Sequence, residues 1–142
     1  MEILSWFIRY GHVVFAALWV GGYAMLAFEG IPDLAQNPQR QERIIALLRL
    51  LTYAGTLVLG FGIVLVTQTR GFNQLFSSAW GICIVLGIVI AVTLLGLGDG
   101  ALRPAILQRS PAGIQRARRW ATIAFVLAII AVGLMTGATY LG

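Results

Sequence analysis

The chain has no lysine, one cysteine, one histidine and only five carboxylate side chains among its 142 residues. Each shortage excludes a class of chemistry. A lone Cys83 rules out an intrachain disulfide and any multi-cysteine metal site, leaving a small apolar side chain. A lone His12 rules out a haem held by two histidines of one chain. The acids (Glu2, Glu29, Asp33, Glu42 and Asp99) place no carboxylate pair inside an apolar segment, so pump-like proton chemistry has no support. There is no Ser/His/Asp set and no glycine loop built to cradle phosphate, and no catalytic residue is assigned. Charged residues make up only 11% of the chain and apolar ones 59%, with a mean hydropathy of +0.89. A soluble domain of this composition would expose far more contiguous apolar surface than a monomer tolerates. Lipid is therefore the solvent to reason with. The isoelectric point near 10.4 does not indicate nucleic acid, because no polar surface exists to form such a groove.

Long apolar runs are what the sequence has. Crossing the hydrocarbon core takes roughly 20 apolar residues, and four segments qualify, at about 3–28, 44–67, 79–98 and 120–141. The gaps between them carry turn residues: Gly30 to Pro38, Arg70 to Asn73, and Arg103 to Pro111. The expected fold is all-α, a single domain forming a bundle of four transmembrane helices. Met1-Glu2 lacks a basic leader region, so the first apolar run reads as a span and not as a cleaved signal.

All ten basic residues are arginines, and they are unevenly placed. Arg40, Arg43 and Arg49 follow the first segment; Arg103, Arg109, Arg116, Arg118 and Arg119 follow the third. Arg9 and Arg70 belong to the other end of the bundle. The positive-inside rule then puts the arginine-rich end in the cytoplasm and both termini outside. Trp6, Tyr10, Trp80 and Tyr140 fall near the outer interface and Trp120 near the inner one. Gly96-x-x-x-Gly100, Gly133-x-x-x-Gly137, Ala17 with Gly21, and Gly55, Gly60 and Gly62 are spacings that let helices approach closely, favouring a tight bundle. Asp99 is expected to pair with an arginine of the third gap, and Glu29 and Asp33 with Arg40, Arg43 or Arg49.

At 100° per residue, Arg9, His12, Ala16, Trp19 and Tyr23 share one stripe of the first helix. An ionisable group inside a span is costly and usually faces the bundle interior or a cavity. His12 is accordingly the candidate metal ligand, most plausibly for the iron of haem b. Arg9, Trp19 and Tyr23 are the candidate cofactor-binding residues around it. The iron would be five-coordinate, or its sixth ligand would be a methionine, Met25 or Met135, a tyrosine, or a group from a second protomer. Against this stands a plainer account, in which His12 hydrogen-bonds a neighbouring helix and Arg9 snorkels to the interface. The two differ in whether the imidazole faces a cavity or packs against backbone.

The run His12-Val13-Val14-Phe15-Ala16-Ala17-Leu18-Trp19-Val20-Gly21-Gly22 resembles the first helix of the CopD-like membrane proteins. That grouping includes putative copper-export domains and the HemJ-type protoporphyrinogen oxidases. Arg40-Gln41-Glu42-Arg43 followed by Ile44 to Gly62 is similar to the family's arginine-led second helix. The resemblance covers about half the chain. It implies a four-helix bundle of the bacterial inner membrane, with His12 as a haem ligand in a redox role. The chain carries Ala24 to Glu29 where HemJ-type proteins show a Pro-Arg-aromatic element with a second histidine, and Gly81-Ile82-Cys83 after Trp80 where a basic residue is expected. Two further readings stand beside a redox role. One is a non-catalytic accessory subunit, a homo-oligomer or part of a larger membrane complex; the other is a component of copper or small-solute transport.

Overall fold

The computed structural model describes residues 2–141, and the described residues contain helices and turns without a strand. Four helices are long and apolar enough to cross a bilayer: α1 (Glu2–Asp33), α2 (Pro38–Gln68), α3 (Ala79–Leu107) and α4 (Pro111–Ala138). At 1.5 Å per residue each runs for about 40–50 Å, well beyond a hydrocarbon core of about 30 Å. The surplus lies at the arginine-rich end, where α1, α3 and α4 extend past their apolar segments. The gap expected from Arg103 to Pro111 is helical through Leu107, and the turn that remains is short. Apolarity marks where lipid is. It does not mark where a helix stops, and arginine and glutamine are good helix formers.

Local chemistry sets the ends. Ser78 and Ser110 cap α3 and α4, their hydroxyls accepting the N–H groups of Gly81 at 3.1 Å and Gly113 at 3.0 Å. Pro111 occupies the first turn of α4, where a missing N–H costs nothing. After α2 the chain turns through Gly71 at φ 75°, a conformation that needs glycine, and its N–H reaches back to the Val66 carbonyl at 2.9 Å. The α3–α4 turn places Arg109 at φ 51° without that excuse.

Both α1 and α3 contain one widened turn, at Leu26–Gly30 and Gly98–Leu102. There the N–H of Ile31 bonds to Leu26 and that of Arg103 to Gly98, five residues back instead of four. Each widened turn is followed by a proline, Pro32 or Pro104. A proline ring has no N–H to give and presses on the carbonyl four residues earlier. Inserting one residue into the turn lets the helix pass it unbroken.

The helices run up and down in a ring. α1 lies along α2 and α3 along α4; α4 also packs on α1, while α2 and α3 touch least. The two hairpins repeat one another. Their widened turns, their following prolines and the prolines that open α2 and α4 (Pro38 and Pro111) fall at equivalent places. So do the buried faces: Ile44, Leu48, Leu51, Gly55 and Val58 of α2 correspond to Ala117, Ala121, Ala124, Ala128 and Ala131 of α4. The second hairpin thus repeats the first in element order and in its buried pattern.

The main core is concentrated toward the arginine end. Leu26, Ala27, Ile31, Leu102, Ala117 and Ala121 have no exposure at all. At the other end a separate small cluster joins Val66, Leu75, Trp80 and Ala138. Trp80 belongs to that cluster, with Arg70 stacked over its ring at 5.4 Å, and is not a lipid-facing belt residue; Trp6, Tyr10 and Tyr140 are exposed.

Candidate functional site

Two places between helices bear on the candidate residues: the seam between α1 and α2, which contains His12, and a groove between α2 and α3.

The α1–α2 seam is built from large side chains of one helix set into glycine gaps of the other. Leu51 of α2 fills the space over Gly22. Trp19 of α1 lies over Gly55, where an added Cβ would come within 2.9 Å of the indole Nε1. Nearer the outer end, His12 lies over Gly62, whose Cβ would stand 3.1 Å from the ring. Phe15 stacks on Phe61 at 6.0 Å between ring centres.

His12 makes one hydrogen bond, from Nδ1 to the backbone carbonyl of Val58 at 3.0 Å. A carbonyl oxygen can only accept, so Nδ1 carries the proton and Nε2 keeps its lone pair. Gly62 leaves room for the ring, since a Cβ there would press on the imidazole edge at 3.1 Å. Of the two alternatives, the histidine packs against backbone. The residue is half-buried, between the two helices.

The other residues of the predicted stripe divide into two groups. Arg9 is exposed, while Trp19 and Tyr23 are buried in the main core. Their rings meet edge to face at 5.9 Å. The Tyr23 hydroxyl reaches the Leu94 carbonyl only at 3.5 Å, the outer limit of a hydrogen bond. Trp19 Nε1 has no partner, and among the described residues it is the buried side-chain polar atom left unsatisfied. These aromatics pack; they do not line an opening. Neither methionine reaches His12: Met135 covers Gly87 of α3, and Met25 is exposed more than three turns further along α1. No cluster of three or more His, Cys, Asp or Glu residues suited to a metal occurs among the described residues.

The second place was not visible as a unit in the sequence. Arg49, Thr52 and Tyr53 of α2 face Asp99 and Arg103 of α3 across a groove of about 220 Å³ floored by Ile45 and Leu48. The expected pairing of Asp99 with a third-gap arginine is not made. Among the described residues the ion pair is Arg40 with Asp33, at 2.8 Å. That pair fulfils the expectation for Asp33, whereas Glu29 has no such partner. Asp99 sits in the widened turn of α3 and Arg103 directly follows it. A larger concavity, about 370 Å³, lies at the same end between the two hairpin turns, lined largely by Pro32, Pro38, Ile106, Pro111 and Ile114 with Arg109 and Arg118 at its edge.

The glycine spacings fare unequally. Gly22, Gly55, Gly62 and Gly87 each receive a side chain from a neighbouring helix. Gly21, Gly60, Gly96, Gly100, Gly133 and Gly137 have nothing within 4 Å of where a Cβ would be. Gly96-x-x-x-Gly100 and Gly133-x-x-x-Gly137 therefore look outward and do not tighten the bundle.

The fold and its filled interior define a four-helix bundle with four membrane-span-capable helices. Comparison with known proteins finds no matching family model, no similar curated protein and no similar solved structure.

Proposed function

We propose that this chain is a non-catalytic, multi-pass subunit of the bacterial inner membrane, which assembles with other transmembrane helices and keeps its arginine-rich end in the cytoplasm. The observation that carries this reading is the α1–α2 seam, where side chains of each helix sit over glycines of the other. The one imidazole donates from Nδ1 to a backbone carbonyl, and Trp19 packs against Gly55. Outward small-residue faces on α3 and α4 add support, since such faces let a further helix approach closely in lipid. The orientation rests on eight arginines at one end against two at the other. Replacing Arg116, Arg118 and Arg119 with alanine is expected to disturb topology, read by labelling of a cysteine placed at a terminus. Unchanged labelling would argue against the assigned orientation.

A second reading is favoured by one feature of the same hydrogen bond. A ring N–H fixed on a backbone carbonyl sets the tautomer and aims the other nitrogen as a ligand. His12 has this arrangement, and its Nε2 is not among the buried unpartnered atoms. In a chain with one histidine, such a ligand would serve a haem b or metal completed by a second protomer or a partner, as in the redox role that the CopD/HemJ resemblance implies.

The experiment that separates the two is an absorption spectrum of protein purified in mild detergent from haem-supplied cells, with His12→Ala alongside. A flat spectrum from intact, monodisperse protein is expected. A Soret band lost in the variant would make His12 a haem ligand and put the redox reading first.

A further inference from the structure

The groove between α2 and α3 has three properties that together specify a ligand. First, it lies at headgroup depth. Arg49 directly precedes the uncharged stretch of α2 that begins at Leu50, and Asp99 directly follows the apolar segment of α3 that ends at Gly98. Second, it holds two positive groups and one negative group that leave one another free. Arg49, Arg103 and Asp99 line the same 220 Å³, yet neither guanidinium is within ion-pairing distance of the carboxylate. All three residues are exposed, so their charged groups are open to a ligand from the membrane surface, where a lowered local dielectric strengthens charge pairing. Third, it opens onto a furrow. α2 and α3 are the least closely packed neighbours in the ring, and Gly96, one turn before Asp99 on the same face, has open space where a side chain would be.

The internal repeat shows that this is not simply how such bundles close. The equivalent seam lies between α4 and α1. There the places of Asp99 and Arg103 are taken by Ala27 and Ile31, both without exposure, and Phe28 packs edge to face on Phe125 at 5.3 Å. One seam is sealed with apolar side chains; its counterpart carries charges and a gap.

We propose that the α2–α3 groove binds the headgroup of a zwitterionic aminophospholipid, one with a phosphodiester and a primary ammonium. Arg49 and Arg103 donate to the phosphate oxygens, and Asp99 accepts from the ammonium. The Tyr53 hydroxyl stands at the rim as a further donor, while the Thr52 hydroxyl is already committed to the Leu48 carbonyl at 3.1 Å. Guanidinium groups suit phosphate because they offer paired donors in one plane. The carboxylate sets the choice of lipid. It repels a headgroup with negative charge only, and it can make no hydrogen bond to a trimethylated ammonium. An acyl chain then follows the furrow past Gly96.

The test is native mass spectrometry of the full chain in mild detergent, titrated with phosphatidylethanolamine, phosphatidylcholine and phosphatidylglycerol of identical acyl chains. Inorganic phosphate and free phosphoethanolamine are tested in parallel. Phosphatidylethanolamine is expected to be retained about tenfold better than phosphatidylcholine, the ratio that one charge-assisted hydrogen bond supports. Asp99→Asn is expected to erase that preference and raise phosphatidylglycerol binding; Arg49→Gln with Arg103→Gln is expected to weaken all three lipids. Arg49→Lys with Arg103→Lys, which keeps the charges, is expected to retain binding in part and so to separate a lost site from a lost fold. Equal retention of the three lipids by the unaltered chain would overturn the proposal. So would saturation by inorganic phosphate or phosphoethanolamine at the concentrations at which the lipid binds, which would make it a site for a soluble anion.

Discussion

The two hairpins share a backbone plan and solve the same packing problem in different ways. In the first, large side chains and glycines interleave from both sides: Trp19 and His12 of α1 lie over Gly55 and Gly62 of α2, while Leu51 and Phe61 of α2 lie over Gly22 and Gly11 of α1. In the second, α4 presents an unbroken alanine face, and it is a methionine of α4 that fills the gap over Gly87 of α3. At the positions equivalent to Trp19 and Gly55 the second hairpin has Ala91 and Ala128, both buried. Alanine against alanine brings two helices together with nothing polar to satisfy. Tryptophan against glycine gives a larger contact but leaves an indole N–H stranded. The first hairpin is therefore the one in which a single change has room to do damage, or to help.

The largest effect is expected from closing a glycine gap. Gly55→Leu would place its side chain where Trp19 and Leu95 already lie, at a cost of about 3 kcal/mol or more. The same change at Gly133, where the space is open, is expected to stay within about 0.5 kcal/mol. Thermal unfolding of both variants in one detergent gives the comparison, and equal losses would mean that the seam is not packed as described. Trp19 offers a second contrast. Trp19→Ala removes a buried aromatic and should cost about 3–5 kcal/mol. Trp19→Phe also removes the unpartnered N–H, whose desolvation costs about 1–3 kcal/mol, and so should lose much less than the change in size suggests. If phenylalanine is as harmful as alanine, the indole N–H has a partner in the membrane.

His12→Ala comes next. It removes one hydrogen bond, worth about 1 kcal/mol in a membrane helix pair, and should leave a folded bundle. Collapse of the variant in size-exclusion chromatography would assign the imidazole a larger structural part. The only gain is expected at the α3–α4 turn. Arg109→Gly relieves a left-handed residue and should stabilise by about 1 kcal/mol, visible as a higher melting temperature.

Much of this architecture is legible in the sequence. Four apolar runs gave four helices, because lipid leaves a spanning backbone no alternative to satisfying itself. The arginine-end extensions were not read, since hydropathy reports solvent and not helix ends. Their signals were nevertheless present in Ser110-Pro111, a cap followed by a first-turn proline, and in Pro32 and Pro104, which bend the rule of four without ending the helix. The stripe through His12, Trp19 and Tyr23 was found by periodicity and is real as an inward face. Periodicity could not tell a cavity from a glycine gap, because what faces His12 is Gly62, fifty residues of chain away in order of magnitude. The α2–α3 groove was beyond reach for a related reason. Asp99 is expected to pair within the third gap and Arg49 with an acid of the first, but their meeting across one groove depends on how α2 and α3 lie side by side, which no local pattern encodes.

The uneven core bears on how the chain reaches this state. Helices already in lipid gain nothing by hiding apolar surface from hydrocarbon, so the force that draws them together must come from elsewhere. Here the densest cluster, from Leu26 and Ile31 through Leu102 and Ala117, lies where the apolar segments give way to arginines. At that depth water does compete for leucine and isoleucine, and the hydrophobic effect regains its ordinary strength. Assembly would then proceed as a zipper closing from its wet end, with the lipid-embedded seams following into register behind it.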